Sequence, residues 1–170
     1  MCVCVCGAFT YFALNMHVSK PKLIHSFASF LTTSYYETHH NFFAYADQGM
    51  KNDFNGHDNH HHHNVYAFIN RGMGIGGTLP GHNDYFYENR VVQNNNGGYA
   101  NYDCSCSSTT CPILHDNTIF TKNGEMENIC GKTLPERQAE GIDVGTSVAA
   151  WPDDDDIIGW ARELLDLPPQ

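Results

Sequence analysis

The feature that most constrains this chain is an internal repeat. Asn41, Asn64, Asn89 and Asn117 each precede a short apolar run: Phe42-Phe43-Ala44-Tyr45, Val65-Tyr66-Ala67-Phe68, Arg90-Val91-Val92-Gln93 and Thr118-Ile119-Phe120-Thr121. The spacings are 23, 25 and 28 residues. Gly49, Gly72 and Gly97 stand eight residues after the first three Asn. Gly49-Met50 leads to Gly56-His57 and Gly72-Met73 leads to Gly81-His82, with two more residues in the second interval. That insertion accounts for the step from 23 to 25. One such unit is too short to bury its own apolar face, so it must stack on its neighbours. The period and the short β runs predict a parallel solenoid, with strands ~4.8 Å apart and equivalent residues in columns. An Asn column lets each amide bond the next and the turn backbone. A helical solenoid would place the recurring Asn and Gly inside helices. A β-propeller would need ~40 residues per blade.

Composition agrees. The 170 residues include 16 Asn and 15 Gly, with only 16% charged residues, a profile of turns and short strands. The net charge of −10 argues against nucleic acid or an anionic membrane surface as partner. No apolar run reaches the roughly 18 residues that span a bilayer. Residues 1–36 differ from the rest. They contain no Asp or Glu and open Met1-Cys2-Val3-Cys4-Val5-Cys6. This segment reads as a translated simple repeat from a gene-model artefact, or alternatively as a targeting segment. Against the second reading, a basic n-region is missing and no A-x-A-like site follows. The expected division is therefore 1–36 as an atypical leader, 37–150 as the solenoid and 151–170 as a capping helix and tail.

The columns carry the candidate chemistry. Two places after each Asn stand Phe43, Tyr66, Val91 and Ile119, an apolar column expected in the core. By alternation His39, His62, Tyr87 and His115, two places before each Asn, are also expected inside. His40, His63, Glu88 and Asp116, one place before, are expected outside, as substrate-binding candidates or as a solvated polar face. The turns Gly56-His57-Asp58-Asn59 and Gly81-His82-Asn83-Asp84 place His57 over His82. Tyr85, Phe86 and Tyr87, beside the second turn, are candidates for a sugar-stacking ring, with at least one of them expected in the core. In His60-His61-His62-His63 the side chains alternate, so one face cannot use all four on one ion.

The Asn-led strands, with Thr133-Leu134-Pro135-Glu136-Arg137-Gln138-Ala139-Glu140-Gly141-Ile142-Asp143, resemble the pectin-lyase-like right-handed parallel β-helix family. The last stretch is similar to the W-Q-x-x-G-x-D run found late in many members, with Arg137 where the aromatic stands. The resemblance covers about residues 37–150 and implies five or six coils, similar to the C-terminal part of a longer member. It implies a carbohydrate-active protein, a polysaccharide lyase or glycoside hydrolase acting on an acidic polysaccharide. In that frame His57 and His82 are candidate bases or substrate ligands, and Lys51 or Arg90 a carboxylate clamp. Asp53, Asp58 and Asp84 are candidate Ca²⁺ ligands. The family fold also hosts non-catalytic proteins, so a glycan-binding or structural fragment is the alternative. Only seven Lys and Arg follow residue 36, which leaves few cations for an anionic polymer.

Cys104, Cys106, Cys111 and Cys130 form an even set, expected as two disulfides. Cys104 and Cys106 point apart as near neighbours, so one of them should pair with Cys111 and the other with Cys130. Disulfides imply a secreted protein. Asp153 to Asp156 precede Ile157, Ile158, Trp160, Ala161, Leu164 and Leu165 at helical spacing. A helix there should lie across the last coil or along one face, covering surface that would otherwise pair with another chain. A monomer is expected.

Overall fold

The computed structural model describes residues 30–31, 34–53 and 55–168. Most of the leader, with Cys2, Cys4 and Cys6, lies outside the described residues.

Each coil has three short strands, one on each side of a triangular cross-section. Sheet 1 has the order β1 (Phe30–Leu31), β4 (Gln48–Asp53), β7 (Arg71–Ile75) and β10 (Ala100–Asn101). Sheet 2 has β2 (Glu37–His39), β5 (His60–His62), β8 (Tyr85–Tyr87) and β11 (Ile113–His115). Sheet 3 has β3 (Phe42–Ala44), β6 (Val65–Ile69), β9 (Arg90–Gln93), β12 (Thr118–Thr121) and β13 (Ser147–Ala150). All strand pairings are parallel. The chain is a parallel β-solenoid of about four turns, fewer than the expected five or six.

The Asn column is a continuous ladder at the corner between sheets 2 and 3. Each backbone N–H donates to the next side-chain oxygen: Asn41 to Asn64 (3.1 Å), Asn64 to Asn89 (3.0 Å) and Asn89 to Asn117 (3.1 Å). Asn117 donates to Thr146 Oγ1 (3.2 Å), which closes the ladder with a shorter side chain. This corner always has two residues. The first is left-handed: His40, His63, Glu88 and Asp116 have φ of 53°, 53°, 52° and 53°. Gly145 follows at φ 75°, and a Cβ there would stand 1.9 Å from Asp116 Oδ1, so glycine is required.

That left-handed residue shifts the side-chain parity. Phe43, Tyr66, Val91 and Ile119 do face the core. The inward column of sheet 2 is Thr38, His61, Phe86 and Leu114, not the expected His39, His62, Tyr87 and His115. Phe86 and Leu114 belong to the central apolar cluster and His61 is 1% exposed. Alternation holds within a strand but not through a corner residue at positive φ.

Met50 and Met73 complete the core from sheet 1. Helix α2 (Asp154–Leu164) lies along the outer face of sheet 3. It is capped by Asp153, which accepts from Asp156 N at 2.8 Å. Ile157 and Trp160 pack on Phe42, Ala44, Ala67, Phe68, Val92 and Phe120. Sheet 3 is thus covered on both faces, which explains the fully apolar stretch Val65-Tyr66-Ala67.

Helix α1 (Leu134–Ala139) was not foreseen as a helix. Thr133 and Glu136 form a capping box at its start. Its Arg137, 1% exposed, pairs with Asp143 through Nε (2.8 Å) and Nη2 and donates to Tyr102 OH (2.7 Å). Tyr99 OH also donates to Asp143. Gln138 Nε2 donates to the carbonyls of Asp143 (3.1 Å) and Thr146 (2.7 Å). The closing motif is therefore a polar clasp that brings the chain back for the last rung. The cysteine pairing resolves as Cys104–Cys130 and Cys106–Cys111.

Candidate functional site

The site is built where sheet 1 turns into sheet 2. Gly56 and Gly81 precede His57 and His82, and Gly81 is left-handed at φ 86°. His57 and His82 come from successive coils, and their ring centroids are 4.3 Å apart. Asp58, at φ 53°, sets its carboxylate between them. Asp58 Oδ2 lies 2.8 Å from His57 Nδ1 and 2.5 Å from His82 Nδ1. Burial works to raise the Asp58 pKa, but the hydrogen bonds from His57 and His82 outweigh it and hold the carboxyl below its ordinary value. All three side chains are half-buried.

Beside this corner runs the outer face of sheet 2, which carries two stacked columns. His60 and Tyr85 stack at 4.1 Å with rings 7° from parallel. His39, His62, Tyr87 and His115 stack at 5.2, 4.8 and 4.8 Å. Glu37 Oε1 meets His62 Nε2 at 2.6 Å, and that bond holds the Glu37 pKa below its usual value. An open groove of about 610 Å³ follows this face, lined by Tyr35, Tyr36, Glu37, Asp58, His60, Tyr85 and Tyr87. Flat rings with a few carboxylates are the ordinary means of holding a sugar ring or a planar group.

The outward residues His40, His63, Glu88 and Asp116 are exposed, as expected, but at the corner rather than on a strand. His40 and His63 stack at 4.9 Å, and His63 Nε2 pairs with Glu88 at 3.2 Å. Asp116 pairs with its neighbour His115 at 2.8 Å. Lost hydration, then the charges of His63, His39 and His62, lower the His40 pKa.

Other candidates are dispersed. Lys51 is on β4 in sheet 1. Arg90 is on β9 in sheet 3, where it lies 5.0 Å over the Trp160 ring and pairs with Glu163 at 3.1 Å. It fastens helix α2 and is not at the groove. The two cationic clamps therefore sit on different faces from His57 and His82. Of the oxygen set expected for Ca²⁺, the described side chains of Asp58 and Asp84 are not gathered into one group. Asp84 is 6% exposed, its Oδ1 accepts from Asn59 N (3.0 Å), and burial raises its pKa. It stays outside the His57–Asp58–His82 group. Only the backbone of Asp53 is described, at the end of β4. A Ca²⁺ ion does not fit donors in which Asp58 is flanked by two imidazoles.

Glu37, His60, Tyr35 and Tyr36 were missed as groove residues. Glu37, His60 and Tyr85 share one column, four places before each Asn. That column becomes legible once the corner parity is known.

The architecture of the pectin-lyase-like family, a parallel β-solenoid, is present, while membership of that family is not shown. No helix among the described residues is long and apolar enough to cross a membrane. No family model matches the chain, and no curated protein or solved structure matches it either.

Proposed function

We propose that this chain is a secreted, glycan-binding β-solenoid that takes a sugar chain along the outer face of sheet 2. The observation that carries this reading is the groove walled by Tyr35, His60, Tyr85 and Tyr87, with Glu37 and Asp58 at hand for hydroxyl groups. The columns repeat at the strand spacing, so a polymer laid along the stack meets a ring at each coil. The two disulfides support an oxidising compartment. Lys51 and Arg90 stand on other faces, so neither lends its charge to a uronic-acid polymer held along sheet 2.

A catalytic reading, as polysaccharide lyase or glycoside hydrolase, draws support from one point. Asp58 belongs both to the groove and to the His57–His82 corner, so proton-transfer groups lie beside the bound polymer.

The test is affinity electrophoresis against neutral and uronic-acid polymers, with product release measured on the same panel. At least one polymer class should retard the wild-type chain. Tyr85→Ala should weaken that binding about fivefold, the value of one lost ring contact of ~1 kcal/mol. Retardation by none of the polymers, or equal retardation of Tyr85→Ala, refutes the glycan reading. Product formation that disappears in His57→Ala and His82→Ala establishes the catalytic one.

A further inference from the structure

A repeat stacks equivalent side chains whether or not they have a task, so the His57–His82 contact alone proves little. The residue between them is different. Asp58 has Asn83 as its counterpart one coil on, and Asn83 turns its amide away to donate to the Cys111 carbonyl at 2.6 Å. Asp58 instead directs Oδ2 to both Nδ1 atoms, at 2.8 and 2.5 Å. The three ligand atoms all lie within 4.8 Å of one another. Side-chain exposures of 17%, 23% and 35% leave the group open to water on one side. We propose that His57, Asp58 and His82 form a binding site for a single divalent cation of the zinc class, with water completing its coordination.

The donors decide the ion. Ca²⁺ takes about six to eight oxygens, whereas two of these three donors are imidazole nitrogens. Zinc-class ions accept such nitrogens and a carboxylate at ~2.0–2.2 Å, with three protein ligands and an open position. Around a tetrahedral ion those bond lengths separate the donors by about 3.3 Å. The two Asp58–imidazole separations therefore have to open by less than ~1 Å, and the separation between the two imidazole nitrogens, which is under 4.8 Å, has to change by no more than ~1.5 Å, within reach of side-chain torsions.

The proton balance is simple. Both Nδ1 atoms now face a carboxylate acceptor, so each carries hydrogen. To bind the ion, each must present its lone pair. In a neutral ring the hydrogen moves to Nε2, and in a protonated ring one proton leaves to solvent. Because Asp58 also lines the groove, the ion sits at the groove rim. The inference does not depend on glycan binding, since its test uses metal alone.

Among the described residues, the natural competitors are the pairs His39–His40 and His62–His63, whose Nδ1 atoms approach to 2.8 and 2.7 Å. Neither pair has a carboxylate set between its rings as Asp58 is, so they serve as controls. The full chain, made without an affinity tag and stripped with chelator, is titrated with ZnCl₂ by calorimetry. Wild type should show one saturable site. Asp58→Asn, which keeps a residue tolerant of the left-handed backbone, and His82→Asn should each weaken it by more than about tenfold. The double variant His40→Asn/His63→Asn should leave it intact, and excess Ca²⁺ should not compete. Unchanged affinity in Asp58→Asn and His82→Asn, loss confined to His40→Asn/His63→Asn, or displacement by Ca²⁺ overturns the assignment. Should either site variant fail to fold, Co²⁺ on the wild-type chain decides. An intense visible ligand-field band supports the nitrogen-bearing tetrahedral site, and its absence refutes it.

Discussion

Asn89→Ala is the perturbation that tests the Asn ladder most directly. Asn89 is 1% exposed and bonds both neighbouring coils. Its Oδ1 accepts from Asn64 N (3.0 Å) and Asn64 Nδ2 (3.1 Å). Its Nδ2 donates to the His61 carbonyl (2.9 Å) and Asn117 Oδ1 (3.2 Å). Alanine leaves some of these partners supplied. Asn64 Nδ2 keeps the Thr38 carbonyl, and Asn117 Oδ1 keeps the Asn89 backbone N–H. The buried N–H of Asn64 loses its acceptor, at a cost of roughly 1–3 kcal/mol. The two lost Nδ2 bonds add about 0.5–1.5 kcal/mol each, for a total of about 2–6 kcal/mol. With a urea dependence of about 2 kcal/mol per molar, the unfolding midpoint should fall by roughly 1–3 M. The assay is urea unfolding followed by far-UV circular dichroism, with Asn41→Ala as the comparison. Asn41 is half-buried at the ladder's end, so its substitution should cost less than half as much. A loss below about 0.5 kcal/mol for Asn89→Ala, or one equal to that of Asn41→Ala, would mean that the ladder follows from the corner geometry without stabilising it.

Acid sensitivity should trace to His61. Burial, and then the charges of His60 and His62, push its pKa down from 6.5 to about 3. A depressed folded value contributes stability that is fully present above 6.5 and is lost as pH falls towards 3, on the order of several kcal/mol at full development. His61→Phe, which copies Phe86 in the next coil, should flatten that acid limb in urea midpoints measured from pH 7 to pH 4. An unchanged slope refutes it. The disulfides should differ in weight. Cys104–Cys130 spans 26 residues and its removal by paired serine substitution should cost about 3–4 kcal/mol, against about 2 kcal/mol for Cys106–Cys111, which spans 5. Calorimetric midpoints of the two double variants check the order, and a reversed order contradicts it.

Much of the fold was legible because a solenoid writes its geometry into the sequence. Each Asn marks a corner, and the core column two places later follows directly. What failed is instructive. Alternation carried across the corner misassigned His39, His62, Tyr87 and His115, because left-handed backbone at His40, His63, Glu88 and Asp116 leaves little trace in residue type. His40, His63 and Asp116 are of types that visit that conformation more often than most, but none requires it, and Glu88 is not of those types. The coil count was too high because residues 125–146 form α1 and its clasp rather than further full coils. The His57–His82 pairing was visible from the repeat. Asp58 was legible as a candidate metal ligand, but its placement between the two rings was not, since its counterpart Asn83 turns its amide away. The partners of Arg90, Trp160 and Glu163, were not legible because they come from a helix some seventy residues away.

The corners of the coil also differ in how much variation they permit. Between sheets 2 and 3 the chain always crosses in two residues, since the ladder and the left-handed residue leave no room for a third. Between sheets 1 and 2 the connection grows from 54–59 to 76–84 to 102–112, and the last of these carries the Cys106–Cys111 loop. The stack therefore behaves as a rigid spine with one adjustable hem. Insertions at the hem change the rim around His57, Asp58 and His82 without altering strand register. Relatives of this chain would be expected to keep the two-residue corner unchanged in length and to diversify in shape and chemistry along the hem.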